Sequence, residues 1–113
     1  MGKPKHGCEG GIAVTVHAVN RFRTRCSLHP LAKKGSANQI ERCIRHLIRR
    51  GEDITHLGLK EEERLVRLCY ETPRNGEQSA LALLAPERNN PADLAVLTIL
   101  ASDMAVGGRL PRD

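Results

Sequence analysis

Two matching pairs of residues in this sequence could do chemistry together: Cys26-x-x-His29 and Cys43-x-x-His46. Zinc takes four ligands, commonly thiolates and imidazoles, and a two-residue gap lets one short turn supply two of them. Thirteen residues separate the pairs, enough chain to fold one onto the other. His6 and Cys8 offer a further pair near the start. Three features oppose a metal centre. Cys43 falls in an apolar helical stripe, and free cysteine is among the most buried residue types. The order Cys-His, Cys-His departs from the usual zinc signatures, which lead with a Cys-x-x-Cys knuckle. The aliphatic content also suffices for a core without metal. The sequence therefore favours a buried thiol, exposed imidazoles and no cofactor. A structural zinc on Cys26, His29, Cys43 and His46 is the minor alternative.

Other chemistry is sparse. The chain has no Gly-x4-Gly-Lys phosphate loop, no Gly-x-Gly-x-x-Gly turn, no Gly-x-Ser-x-Gly elbow and no His-Glu-x-x-His helix. Five histidines and four cysteines are scattered along it, and spacing alone selects no catalytic pair. A small basic ribonuclease needs only a His or Glu beside an arginine cluster, so catalysis stays open, but no catalytic residue is assigned.

The basic residues are more orderly. Arg21, Arg23 and Arg25 alternate along one stretch, Lys33 and Lys34 follow, and Arg42, Arg45 and Arg49 recur at helical spacing. Residues 1–50 carry eleven Lys or Arg against Glu9 and Glu41, whereas residues 51–113 carry seven basic and eleven acidic residues. A split of this size points to a basic working surface on an otherwise acidic scaffold, and hence to a polyanion as partner. Phe22 and Tyr70 are the only aromatics, so there are few platforms on which unpaired bases could stack. Duplex nucleic acid, DNA before RNA, fits better than single strands.

These residues need elements to position them. Residues 1–11, with four glycines and a proline, read as a flexible arm, 12–106 as one globular domain and 107–113 as a tail. Residues 12–25 alternate apolar and polar, the signature of a strand. That strand would aim Arg21, Arg23 and Arg25 from one face, with Arg23 mid-ladder facing base edges. Ser36 with Gln39 forms a capping box, Ile40, Cys43, Ile44, Leu47 and Ile48 make an apolar stripe, and Gly51 stops the helix. Three more helices are expected at 60–71, 76–85 and 91–106. In the first, Glu63 and Arg67 would pair across one turn and Cys69 would join the core. The expected fold is thus mainly α, a small four-helix domain with a short N-terminal β segment, or α+β if that segment pairs.

The sequence therefore predicts a small basic nucleic-acid-binding protein, regulatory or accessory, with no membrane span. No leader segment is recognisable, so a cytoplasmic location is expected. The alternative is a protein-interaction module, an adaptor, antitoxin-like partner or inhibitor, associating as a homodimer or with another chain through the apolar 91–106 segment.

Overall fold

The computed structural model describes residues 11–55, 62–89 and 93–102. The expected arm apart from Gly11, the tail, the first two residues of the 60–71 segment and both ends of the 91–106 segment lie outside the described residues. In order, the elements are β1 (Ile12–Val14), α1 (Val16–Arg25), α2 (Leu31–Lys34), α3 (Ala37–Arg50), β2 (Glu52–Asp53), β3 (Arg64–Thr72), β4 (Gly76–Pro86) and β5 (Leu94–Ala101). The strands form one mixed sheet in the order β1-β5-β4-β3-β2. β1 and β5 run parallel, and every other neighbouring pair is antiparallel. The chain starts at one edge, crosses one face as three helices, enters the far edge and returns by an antiparallel meander.

This α+β architecture overturns the mainly-α expectation. Strand makes up 40% and helix 35% of the described residues, so sheet outweighs helix. The segments expected as helices at 60–71, 76–85 and 91–106 supply β3, β4 and β5. Both faces of this sheet carry apolar residues. Val66, Leu68, Tyr70, Ala80, Ala82, Leu84, Val96 and Ile99 belong to the main core with the helices. Leu65, Leu81 and Leu100 form a second cluster with Ile54. A strand buried on both faces reads as a continuous apolar run, which periodicity cannot tell from a buried helix. SALALLA and LAVLTILA are such runs, and their Ala and Leu content lends them a helical propensity that pairing overrides. β5 is paired on both sides, to β1 and to β4. The apolar residues behind the expected dimer helix are thus accounted for by the sheet interior.

The expected N-terminal strand is cut short at Val14. Thr15 ends it by capping α1: its Oγ1 accepts from the Ala18 amide at 3.0 Å and donates to the Val96 carbonyl at 2.8 Å. The apolar residues that suggested alternation include Ala18 and Phe22. A spacing of four satisfies a two-residue period and a helical face equally. Val19 on the odd register is buried, while Val16 on the even register is 77% exposed, which settles the period as helical. α1 packs on β5.

α3 forms as its sequence predicts. Ser36 Oγ accepts from the Gln39 amide at 3.2 Å and Gln39 Oε1 accepts from the Ser36 amide at 2.8 Å, closing the capping box. Ile40, Ile44 and Leu47 are buried against the sheet. Gly51 ends the helix where it meets β3: a Cβ there would lie 2.6 Å from both the Arg67 carbonyl oxygen and Val66 Cγ1. The predicted Glu63–Arg67 helical pair gives way to ladder pairs. Arg67 sits opposite Glu52 and reaches it at 3.8 Å, and Arg64 reaches Asp53 at 3.6 Å. Cys69, expected in the core, is exposed on β3.

Candidate nucleic-acid interface

The charge asymmetry of the sequence becomes an asymmetry of layers. The helical segment 16–50 holds Arg21, Arg23, Arg25, Lys33, Lys34, Arg42, Arg45, Arg49 and Arg50, and its one acid is Glu41. The described strands carry Glu52, Asp53, Glu71 and Glu77 against Arg64 and Arg67. Positive charge therefore concentrates on the side of the sheet that the helices cover.

The eight basic residues singled out by the sequence do not all serve that surface. Arg23 lies on α1, not a strand. Its guanidinium donates to the carbonyls of Ala32 and Gly35 at 3.1 and 3.0 Å, holding the α2 turn against α1. Arg25 donates to the Ile99 carbonyl at 2.9 Å and fastens the end of α1 to β5. Arg45 is 3% exposed; its Nε donates to the Ile12 carbonyl at 3.0 Å and its Nη2 lies 3.4 Å from Glu41. The alternating Arg21–Arg23–Arg25 ladder is thus replaced by a helix on which two of the three reach backbone carbonyls. Arg21 is half-buried, with its Nε 3.4 Å from His17 Nε2.

Lys33 and Lys34 on α2 and Arg42, Arg49 and Arg50 on α3 are exposed. α2 packs against α3, so the two lysines lead into the arginine-bearing helix. His46 lies within one turn of all three arginines, and Arg50 Nη1 approaches its Nε2 at 3.4 Å. Arg50 and His46 were not among the binding residues expected from the sequence. Their positions on the outer face of α3 were legible from the helical period alone.

The Cys and His pairs come together only in part. His46 points outward, whereas Cys26, His29 and Cys43 gather beside Tyr70. His29 Nε2 is 3.4 Å from Cys43 Sγ, and its ring lies 5.2 Å from Phe22 and 5.1 Å from Tyr70 between centroids. Tyr70 hydrogen-bonds with the Cys26 thiol. The Leu31 amide donates to His29 Nδ1 at 3.1 Å, so Nδ1 is unprotonated and the ring proton of the neutral imidazole sits on Nε2. A ring in this state donates to sulfur. It cannot also serve as base for the Cys43 thiol through the same nitrogen. A metal ligated at Nε2 would need the proton on Nδ1, where it would face the Leu31 N–H. Among the described residues no group of three or more His, Cys, Asp or Glu side chains is arranged to hold a metal ion.

Burial acts in the same direction on this cluster. It pushes the Cys26 thiol up to about 11; the Tyr70 hydrogen bond opposes the rise and neighbouring Cys43 adds to it. Burial also raises Cys43 and lowers His29 below its ordinary 6.5. All three groups are thereby held neutral, as a polar seam within the core.

No helix among the described residues is long and apolar enough to cross a membrane. No protein-family model matches the chain, and no curated protein or solved structure is significantly similar to it.

Proposed function

We propose that this protein binds duplex nucleic acid, most readily DNA, through the outer surface of α2 and α3, in a regulatory or accessory role. The observation that carries the reading is the layering of charge. The helical layer bears nine basic residues and a single acid, and that acid lies beside the buried Arg45. Lys33, Lys34, Arg42, Arg49 and Arg50 remain exposed on this side and can neutralise phosphates. Glu71 and Glu77, opposite each other on β3 and β4 and both exposed, would repel a duplex approaching that side. Both aromatics are buried in the core, so neither offers a stacking surface for an unpaired base. The free thiols of Cys26, Cys43 and Cys69 suit a reducing cytoplasm, where this reading places the protein. No cofactor takes part.

The test is the salt dependence of binding, read by fluorescence anisotropy with a labelled duplex. If four or five of these cations contact phosphates, log K should fall against log salt with a slope of about −3.6 to −4.5. Lys34→Ala should lower that slope by roughly 1 and weaken all duplexes alike. Binding that does not respond to salt, or no saturable binding near physiological salt, would overturn the proposal.

A further inference from the structure

α3 carries more than positive charge on its outer face. Asn38, Arg42 and His46 follow one another at intervals of four residues, and all three are exposed. Residues at this spacing form one stripe, here about 12 Å long along the helix axis. The stripe lies opposite the buried Ile40, Ile44 and Leu47. Neither the Asn38 amide nor the Arg42 guanidinium has a hydrogen-bonding partner among the described residues. The neighbouring Gln39 differs, since its Oε1 is held by the capping box. Lys33 and Lys34 stand just before this helix, and Arg49 and Arg50 at its end. The arrangement is a central polar stripe with cations beyond both ends.

From this arrangement, and resting on the duplex-binding reading above, we infer that α3 is a recognition helix that enters the major groove of B-form DNA, with Asn38 and Arg42 reading base edges. The chemistry matches the residue types. A carboxamide can make two hydrogen bonds to adenine N6 and N7, and a guanidinium two to guanine O6 and N7. A stripe of about 12 Å spans roughly three or four base pairs at the rise of B-DNA. The B-form major groove admits an α-helix, whereas that of A-form RNA is too deep and narrow for side chains to read. α1 is a poorer candidate, because Arg23 and Arg25 on it are hydrogen-bonded to carbonyls of the protein itself. Lys33 and Lys34, outside the stripe, fall to the phosphates and position the helix without reading sequence.

The experiment is selection of bound duplexes from a randomised DNA library by the full chain, followed by affinity measurements on the selected sequence, a scrambled duplex and a double-stranded RNA of matched length. The expected result is a preferred motif of three or four base pairs containing adenine and guanine. Asn38→Ala and Arg42→Ala should each weaken the selected duplex at least about tenfold and the scrambled duplex far less. Arg42→Lys keeps the charge but loses the planar fork; it should preserve binding to the scrambled duplex and lose the preference. Lys33→Ala should weaken both duplexes by the same factor. If no sequence is enriched, if Asn38→Ala and Arg42→Ala weaken both duplexes equally, or if the RNA duplex binds as tightly, the recognition-helix inference is wrong while the charge-based proposal stands. If no duplex binds at all, both fall.

Discussion

Arg45 and Arg42 lie on one helix, within a turn of each other, yet the structure assigns them opposite jobs. Arg45 is 3% exposed and bridges α3 to the first strand through the Ile12 carbonyl at 3.0 Å, with Glu41 at 3.4 Å beside it. Truncating it to alanine removes a charge-assisted hydrogen bond, worth about 1.5–3 kcal/mol. It also removes a buried aliphatic stem, worth roughly 1–2 kcal/mol more. Arg45→Ala should therefore cost about 3 kcal/mol, a large share of the ~5–15 kcal/mol that holds a domain of this size together. Arg45→Met keeps the stem and should recover roughly 1 kcal/mol of that loss. Arg42→Ala, on the exposed face, should stay within about 0.5 kcal/mol of the parent. Urea unfolding followed by far-ultraviolet circular dichroism measures all three, with an unchanged m-value required for the comparison. If Arg45→Ala proved as stable as Arg42→Ala, the guanidinium would not anchor the first strand, and Arg45 would return to the list of residues available to a ligand.

Leu47→Ala should cost about 2–5 kcal/mol, because Leu47 is buried in the core between α3 and the sheet; thermal or urea denaturation would show it. Ser36→Ala should cost about 1 kcal/mol by opening the capping box, measured in the same way. Cys26 holds its proton in the folded state up to about pH 11, against an ordinary 9.0. The unfolded chain loses that proton first, so stability is full below about pH 9 and should decline between about 9 and 11. Denaturation at stepped alkaline pH should show this decline, and Cys26→Ala should lessen it, the raised Cys43 and Tyr70 supplying the remainder.

The parts of this fold that were legible in the sequence are those whose signals are local. α3 has a cap, a stripe and a terminating glycine within 16 residues; the cap and stripe do what their chemistry predicts, whereas Gly51 ends the helix in extended rather than left-handed conformation. α1 was hidden because Ala18 and Phe22 fit a two-residue period as well as a helical one. Only Thr15, whose hydroxyl is also engaged with carbonyls of β5, decides between them. β4 and β5 were misread as helices because a strand buried on both faces loses its alternation. β3 keeps its alternation, with Val66, Leu68, Tyr70 and Thr72 buried and Arg67, Cys69 and Glu71 exposed, but Leu65, Leu68 and Cys69 also fit a helical spacing. The basic surface was legible as charge but not as geometry. Arg23, Arg25 and Arg45 look like Arg42 in the sequence, and differ because the Gly35, Ile99 and Ile12 carbonyls lie within their reach. Those partners are 12, 74 and 33 residues away along the chain. The Cys and His pairs were read as a buried thiol with exposed imidazoles, which holds for Cys26 and His46; His29 is instead half-buried between Phe22 and Tyr70, a placement that follows from tertiary structure.

The outer face of α2 and α3 is where a duplex is proposed to dock. Titrating the isotopically labelled protein with a short DNA duplex, and following backbone amide shifts by nuclear magnetic resonance, tests it most directly. Shifts are expected at Lys33, Lys34, Asn38, Arg42, His46 and Arg50, with Cys69, Glu71, Glu77 and Ser79 on the strands unmoved. Shifts centred on those strand residues, or none at saturating duplex, would contradict it.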